Sequence, residues 1–359
     1  MSIRASAQAS SGGLFRIHRR SQEPGAEPQA ANWHDVGRQC GPALHDPAVA
    51  RLVDAHPEWL ADRIVPRRVA IETIFGCNAK CTMCVIDHPT TRSKGIMDMA
   101  LFTRIVKALV PYRDRIEMFD LFALGEPLLD PHLFERIRYV KENGFRRLAI
   151  STNAHLLDHG RPEQLLESGI DTVILSIDGV RKETHEAIRV KVDFDRAVEN
   201  IRGTVAMRDK GDYPTRFVMR FIRQDLNRSE WPEFRDTWLS VLSPQRGDVV
   251  TVYDMHTWAG RIASKDDVTT RVPEIEREPC HHIFDNMMIL ANGALALCSE
   301  DMLEGSFGFG NVADEDPIEL YNSERFDAMR RLHLAGRKNC VGTCAQCTLL
   351  YSERQRSSE

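Results

Sequence analysis

Two runs of three cysteines share one spacing in this sequence. The first is CNAKCTMC, from Cys77 to Cys84, and the second is CVGTCAQC, from Cys340 to Cys347. Each spaces its thiols as C-x3-C-x2-C, so that three thiolates of one short loop can reach a single metal centre. The odd total of nine cysteines, concentrated in such groups, also favours metal binding over disulfides.

The first run is suited to an iron–sulfur cluster with an open position. Three thiolates can hold three irons of a cubane 4Fe-4S cluster and leave the fourth iron without a protein ligand. A substrate or cofactor can bind that iron, whereas a cluster used only for electron transfer normally has four cysteines. The alternative is a structural zinc site, for which His88 would supply the fourth ligand.

The elements that must position these cysteines form a regular alternation. From Val69 to about Asp254, helical patterns separate the strand-like runs RVAIETI, IEMFDLF, RRLAIS, DTVILSI, TRFVMRFI and DVVTVYD. The alternation predicts an α/β fold with a parallel sheet and helices outside it, as an open or closed barrel. Ligands of such folds bind beyond the carboxyl ends of the strands, and CNAKCTMC directly follows the first one.

The flanking segments lack this alternation. Residues 1–32 are rich in Ser, Ala, Gln, Gly and Arg and predict a disordered tail, and residues 33–66 predict a small helical cap. The core then spans 67–261. Residues 262–350 hold the other clustered cysteines and predict a separate cluster-binding domain, and 351–359 form a second tail.

Composition excludes several classes of protein. The chain of 359 residues is 42% hydrophobic and 28% charged, as soluble globular proteins are. Its net charge of −5 provides no basic surface for nucleic acid or anionic lipid. No run reaches the roughly 18 apolar residues of a membrane span, and the N-terminus lacks the apolar segment of a secretory signal. We therefore expect a cytoplasmic protein with neither nucleic acid nor membrane as a partner.

CNAKCTMC resembles the C-x3-C-x-Φ-C signature of radical S-adenosylmethionine (SAM) enzymes, with Met83 at the Φ position. GEP follows the second strand, where the GGE-like motif of that family binds the methionine amino group, although Leu124 replaces the first glycine. STN and SIDG end the third and fourth strands, where the family contacts the SAM ribose or carboxylate, and Arg189 matches a family arginine near that carboxylate. The cofactor-binding residues implied are Met83, Gly125, Glu126, Pro127, Ser151, Asn153, Ser176, Asp178 and Arg189.

The resemblance also implies a fold and a mechanism. The fold is a partial (β/α)6 TIM-like barrel with a small C-terminal β-hairpin and helix extension. SAM would chelate the open iron of a cluster held by Cys77, Cys81 and Cys84. One electron from a flavodoxin- or ferredoxin-type donor would cleave it to methionine and a 5′-deoxyadenosyl radical, which removes a hydrogen atom from the substrate. The protein must hold the cofactor, exclude water and orient one C–H bond.

The second run has two earlier partners, Cys280 and Cys298, on either side of an Asn-Gly turn that predicts a β-hairpin. Their spacing around Gly293 resembles the opening of the SPASM and twitch extensions of radical SAM enzymes. A complete SPASM extension binds two auxiliary clusters and needs more cysteines than the five present here. The shorter twitch pattern fits Cys280, Cys298, Cys344 and Cys347, which would hold one closed auxiliary 4Fe-4S cluster. The alternatives are a zinc site of the same four residues, or Cys340 as ligand in place of Cys344.

The resemblance extends to twitch dehydrogenases that oxidise aminocyclitols. We therefore expect oxidation of a secondary alcohol in a sugar, aminocyclitol or nucleoside-like intermediate of antibiotic biosynthesis, with the auxiliary cluster as electron acceptor. A positioned base or cation should assist proton loss. The candidates at the later strand ends are Arg220, Arg223, Asp254, His256 and Arg261.

Three other functions stay open at this point. Cys340 could return a hydrogen atom to the substrate radical, which would make the protein a carbohydrate epimerase; a decarboxylase is a related outcome. Many SPASM proteins mature ribosomal peptides, although the cap at 33–66 is too short for their usual peptide-binding domain. A non-catalytic zinc or electron-transfer protein would leave GEP, STN and SIDG without a role.

Overall fold

The computed structural model describes residues 40–263, 273–351 and 353. The tail expected at 1–32, the start of the cap and most of the tail at 351–359 lie outside these residues.

The helices are α1 Pro47–Ala55, α2 Met99–Leu109, α3 Leu133–Glu142, α4 Arg161–Glu167, α5 Lys182–Ile188, α6 Phe194–Lys210, α7 Trp231–Leu239, α8 Pro273–Arg277, α9 His282–Asp285, α10 Pro317–Tyr321, α11 Glu324–Leu334 and α12 Gly342–Ala345. The strands are β1 Arg68–Ile71, β2 Ile74–Phe75, β3 Lys80–Cys81, β4 Gly95–Ile96, β5 Met118–Asp120, β6 Leu148–Thr152, β7 Thr172–Ser176, β8 Arg189–Val190, β9 Arg216–Arg223, β10 Val249–Asp254, β11 Asn286–Ile289 and β12 Leu295–Ala296.

The main sheet confirms the predicted α/β fold. Its strand order is β10-β9-β7-β6-β5-β1-β11-β12, so the six predicted core strands follow one another along the sheet. All neighbours from β10 to β11 are parallel, and β11 and β12 are antiparallel. The arrangement is the partial TIM-like barrel expected, with β10 and β12 as its end strands.

Apolar periodicity explains how the layers form. Strand β6 is buried along its whole length, as a parallel strand covered on both faces must be. Helix α2 buries Phe102, Ile105, Val106 and Leu109, one face of a helix. Asp98 caps that helix, because its carboxylate accepts hydrogen bonds from two backbone amides of the first turn. Because the strands from β10 to β11 are parallel, their carboxyl ends lie at one edge of the sheet.

The C-terminal region extends the core sheet. The predicted hairpin is present as β11 and β12, with Met288 opposite Ala296 and Gly293 at a φ of 84° in the turn. Strand β11 also pairs in parallel with β1, residue Arg68 lying opposite Asn286. Residues 286–289 thus belong to the same sheet as the core, although the sequence predicted a separate domain for 262–350.

A buried ion pair joins the segments on either side of the cysteine loop, residues 77–84, to this hairpin. The Glu72 carboxylate, just after β1, pairs with Arg92 and accepts a hydrogen bond from the Ala291 amide at 2.9 Å. Arg92 also donates to the Met302 carbonyl at 2.6 Å.

Among the described residues, none of the helices combines the length and apolarity needed to span a membrane.

Candidate functional site

A cavity of about 360 Å³ lies inside the sheet and beyond the carboxyl ends of its strands. Burial alternates along β9: Phe217, Met219 and Phe221 are buried, whereas Arg220 and Ile222 line the cavity. The predicted site residues that line it are Cys77, Cys81, Met83, Cys84, Gly125, Glu126, Ser151, Asn153, Ser176, Arg189 and His256. The fold therefore brings together motifs that are far apart in the sequence.

The three thiols of the first run lie half-buried in this cavity wall. Burial raises the pKa of Cys77 to about 12 and that of Cys84 to about 11. Burial also raises the pKa of Cys81, although the Arg189 charge opposes it. Thiols in such surroundings ionise when a metal supplies the compensating positive charge. Three sulfur donors from one loop, all facing this cavity, fit a 4Fe-4S cluster with one open iron.

Arg189 links the cysteine loop to the SIDG turn. It lies opposite Cys81 in the short β3–β8 ladder, with its Nη1 3.8 Å from the Cys81 sulfur. Its Nε lies 2.6 Å from one carboxylate oxygen of Asp178. The other oxygen of that carboxylate accepts a hydrogen bond from the Ile222 amide at 2.6 Å. Asp178 thus orients Arg189 from behind the cavity wall.

Glu126 connects the ends of β5 and β6. Its carboxylate accepts hydrogen bonds from the Thr152 hydroxyl at 2.7 Å, the Asn153 amide at 2.8 Å and the Leu128 amide at 3.1 Å. Burial raises the pKa of Glu126, and these three donors oppose that shift. The Asn153 side chain then donates to the side-chain amide oxygen of Asn78 at 2.9 Å, within the cysteine loop. GEP, STN and the cysteine loop therefore form one hydrogen-bonded unit.

Arg220 places a positive charge in the cavity. Its Nη2 donates to the hydroxyls of Ser151 and Ser176, at 2.8 and 2.9 Å. Burial, and next the Arg189 charge, lower the pKa of Arg220 to about 10. Among the residues that the structure describes, no carboxylate pairs with this guanidinium. Its charge is available to an anionic group of a ligand, such as the carboxylate of SAM.

A second, smaller cavity of about 30 Å³ is lined by Cys280, Cys298, Cys344 and Cys347. Burial raises the pKa of Cys280 to about 12, and burial, together with the neighbouring thiols, also raises the pKa of Cys298 well above its usual value. His333 and Lys338 line the same cavity, and burial with the Lys338 charge lowers the pKa of His333 to about 3. Four converging thiols, one buried and three half-buried, fit a closed cluster with four protein ligands.

Two family models match this chain. The radical SAM superfamily model matches residues 71–205, and the model of the SPASM iron–sulfur cluster-binding domain matches residues 280–348. The chain is a radical SAM enzyme with a SPASM domain. Its cofactors are SAM, the 4Fe-4S cluster that binds SAM, and auxiliary iron–sulfur clusters. The smaller cavity is lined mostly by residues of the second match, whereas the larger cavity is lined by residues of both matches and of the segment between them.

Individual relatives of this radical SAM enzyme cover less of the chain. It is 34% identical to the tungsten-containing aldehyde ferredoxin oxidoreductase cofactor-modifying protein of Pyrococcus furiosus over 108 residues. This aligned stretch is 30% of each of the two chains. The enzyme matches less than half the length of the first curated relatives.

Two solved structures share the fold. BtrN, in complex with AdoMet and 2-DOIA, is 17% identical with a TM-score of 0.53, over 79% of this chain and 93% of that one. Streptococcus suis SuiB, bound to the precursor peptide SuiA, is 14% identical with a TM-score of 0.56, over 85% of this chain and 73% of that one. At these identities the likeness is one of fold.

Three of the predicted catalytic residues lie away from the larger cavity. Arg223 and Asp254 lie opposite each other on β9 and β10 and form a two-point ion pair, at 2.7 and 2.9 Å, outside the cavity lining. Each therefore has its charge engaged by the other. Cys340 is exposed, lines neither cavity and contacts Arg337, so its position supports neither hydrogen donation nor cluster ligation.

His256 is the catalytic candidate that does line the cavity. Its Nδ1 lies 3.0 Å from a carboxylate oxygen of the buried Glu300, and its ring packs on Trp258 with centroids 4.6 Å apart. Sequence reasoning missed Glu300, because no motif surrounds it. Pro127 and Asp178 support the site from outside its lining: Pro127 begins the turn after Glu126.

Gly125 explains why this GEP motif tolerates a leucine before it. A Cβ atom on Gly125 would lie 2.5 Å from the Ile74 carbonyl oxygen and 2.9 Å from that of Gly76. The Glu126 amide donates to the same Gly76 oxygen at 2.9 Å, so the chain contacts the cysteine loop at this point. Leu124 instead packs in the apolar cluster of Phe75 and Ile86. Only the second position of the motif requires glycine.

We predict that Gly125→Ala prevents SAM binding. The φ of 140° costs any other residue on the order of 1–3 kcal/mol, and the added Cβ displaces the cysteine loop. Iron content and SAM affinity, measured on anaerobically reconstituted protein, should both fall. Gly203→Ala is the matched control, because a Cβ there meets nothing within 4 Å on helix α6. Equal SAM affinity in the two variants would contradict the contact.

Proposed function

We propose that this enzyme oxidises a secondary alcohol of a small, carbohydrate-like substrate, such as a sugar, aminocyclitol or nucleoside. The observation that carries the proposal is the position of the His256–Glu300 pair. His256 lines the larger cavity, and Glu300 lines the smaller cavity with the four cysteines. A proton acceptor therefore faces the substrate space, on the side where the auxiliary cluster would accept an electron.

Cys77, Cys81 and Cys84 would hold the cluster that binds SAM, and bound SAM would supply the radical that removes a hydrogen atom from the carbinol carbon. The substrate must then lose the hydroxyl proton and one electron to become a ketone. His256 accepts the proton, and the cluster that the four auxiliary cysteines would hold would supply the electron acceptor. A flavodoxin- or ferredoxin-type protein would supply the electron that starts the reaction.

The geometry of His256 suits this role. Nδ1 lies 3.0 Å from a Glu300 carboxylate oxygen, but the two atoms are not aligned for a hydrogen bond, so the carboxylate acts on the ring through its charge. Glu300 is buried and would stabilise the imidazolium that forms. A carboxylate behind a histidine base plays the same electrostatic role in other enzymes.

The size and lining of the cavity support a small polar substrate. At about 360 Å³ the cavity is within the usual range for small-molecule sites, about 300–1,000 Å³. Its wall includes the Arg68–Asp120 ion pair and the Arg220 guanidinium, groups able to bind hydroxyls and anions. The fold likeness to BtrN, solved with AdoMet and 2-DOIA, is consistent with such a ligand.

Peptide modification is the second candidate. The fold is also like that of SuiB, which was solved with its precursor peptide. Epimerisation has less support, since the exposed Cys340 has no access to the cavity. A substrate panel of aminocyclitols, sugars, nucleosides and short peptides separates these outcomes. Oxidation yields one deoxyadenosine for each ketone, whereas an epimerase forms product without net oxidation.

We predict that His256→Asn uncouples the two halves of the reaction. The asparagine amide can still donate toward Glu300 but cannot accept a proton. Deoxyadenosine should form as in the unaltered enzyme, and ketone formation should fall by about 10²- to 10⁴-fold. Both products are quantified by chromatography after anaerobic incubation with SAM and reductant. His159→Asn, a change at a side chain 84% exposed, is the control. Unaltered ketone formation in His256→Asn would contradict the role of the base.

A further inference from the structure

His333 lies in the wall of the auxiliary site, although it was not among the predicted site residues. It is the penultimate residue of helix α11 and is completely buried. The Cys280 backbone amide donates to its Nδ1 at 3.1 Å. On the other side of the ring, Nε2 lies 3.5 Å from the Cys344 sulfur. One imidazole therefore bridges two of the four cysteines that line this cavity.

The backbone contact fixes the tautomer of this histidine. A neutral imidazole has one N–H and one acceptor nitrogen. Because Nδ1 accepts the Cys280 amide, the ring proton must be on Nε2. That proton points at the Cys344 sulfur, at a distance normal for a hydrogen bond to sulfur. The contact is thus a directed N–H···S interaction.

Such a hydrogen bond has a redox consequence. A cluster gains one negative charge on reduction, part of which resides on its thiolate sulfurs. A donor to a sulfur therefore stabilises the reduced state more than the oxidised state, and hydrogen bonds of this kind are known to set cluster potentials. The Lys338 side chain, also buried in this wall and held by the Ile275 carbonyl, adds a positive charge of the same effect.

We propose that His333 is a positioning residue of the auxiliary site, which raises the reduction potential of the cluster through an Nε2–H···S hydrogen bond to Cys344. The inference deepens the proposed oxidation and in that respect rests on it, since a higher potential favours transfer of the electron from the substrate radical. The hydrogen bond itself can be tested without any substrate.

The test is a redox titration of the full-length holoenzyme, followed by electron paramagnetic resonance. His333→Leu removes the donor, and His333→Gln keeps an N–H near the Nε2 position. In His333→Leu the equilibrium constant for reduction of the auxiliary cluster should fall about tenfold, which lowers its potential by about 59 mV. In His333→Gln the potential should recover. The other cluster, recognised by its response to SAM, should keep its potential in both variants and serves as internal control. Equal auxiliary potentials in the leucine variant and the unaltered enzyme would overturn the proposal.

A second measurement needs no substitution. Enzyme labelled with ¹⁵N-histidine should show a weak nitrogen coupling to the reduced auxiliary cluster in pulsed resonance spectra. No coupling, or the large coupling of a nitrogen bound directly to iron, would overturn the hydrogen bond. The two proposals also fail separately. A shifted potential without alcohol oxidation refutes the proposed function alone, and oxidation without a shift refutes the role of His333 alone.

Discussion

Replacing Cys81 with alanine should abolish the reductive cleavage of SAM. Cys81 is the thiol that Arg189 approaches, and it lies in the cavity wall between the other two cysteines of its run. Without it only two thiolates remain, too few to hold three irons of a cubane cluster. Deoxyadenosine formation should fall to the background of reductant alone. Iron should fall from about eight to about four atoms per chain, since the auxiliary site stays loaded.

Cys340→Ala is the matched control for this experiment. The substitution is chemically the same, but the Cys340 thiol is exposed and lies outside both cavities. This variant should keep about eight irons and normal SAM cleavage. Cleavage that survives in Cys81→Ala would refute the assignment of the SAM site. Iron lost in Cys340→Ala would instead show that the auxiliary site uses this thiol.

The sequence predicted those features whose signals are local. Each core strand is a short apolar run between helical patterns, so its existence and order follow from the chain itself. Convergence of CNAKCTMC, GEP, STN and SIDG then follows from geometry, because parallel strands bring their carboxyl ends to one edge. Glu126 and Asn153, predicted as separate contacts, proved to be joined by a hydrogen bond of 2.8 Å.

Residue charge was a poorer guide, because its effect depends on register. Arg223 and Asp254 each end a strand, as a catalytic residue of such a fold often does. Only the pairing of β9 with β10 shows that they lie opposite each other and form an ion pair. Arg220, three residues earlier, faces the cavity and has only serine hydroxyls as partners. A difference of three positions on one strand thus separates a paired charge from an available one.

Long-range contacts of the C-terminal region were not predictable from local pattern. NMMIL reads as one strand of a hairpin, and nothing in it specifies β1 as its second neighbour. Glu300 and His333 contact residues far away in sequence, His256 and Cys280 respectively. Cysteine spacing has the same limit: the first run places all three thiols in one wall, whereas the same spacing in the second run leaves Cys340 at the surface.

Replacing Cys298 with alanine should separate SAM cleavage from substrate oxidation. Cys298 is buried at the end of the hairpin, and burial, followed by the nearness of the other three auxiliary cysteines, raises the pKa of its thiol. The variant should lose about four irons and keep the cluster that binds SAM. Deoxyadenosine should still form, because no residue of the larger cavity changes. Ketone should not, because the substrate radical has lost its electron acceptor.

Metal analysis and product analysis together decide this prediction. If the unaltered enzyme contains about four irons and one zinc, the four thiols form a structural site and the electron must leave by another route. If Cys298→Ala loses the auxiliary iron but still forms ketone, the cluster is present without being the acceptor. Loss of SAM cleavage in the same variant would show that the two sites are not independent, as their shared sheet and the Glu72–Arg92 tie allow. Retained cleavage with no ketone is the one result that assigns the two cysteine groups to two successive steps of a single oxidation.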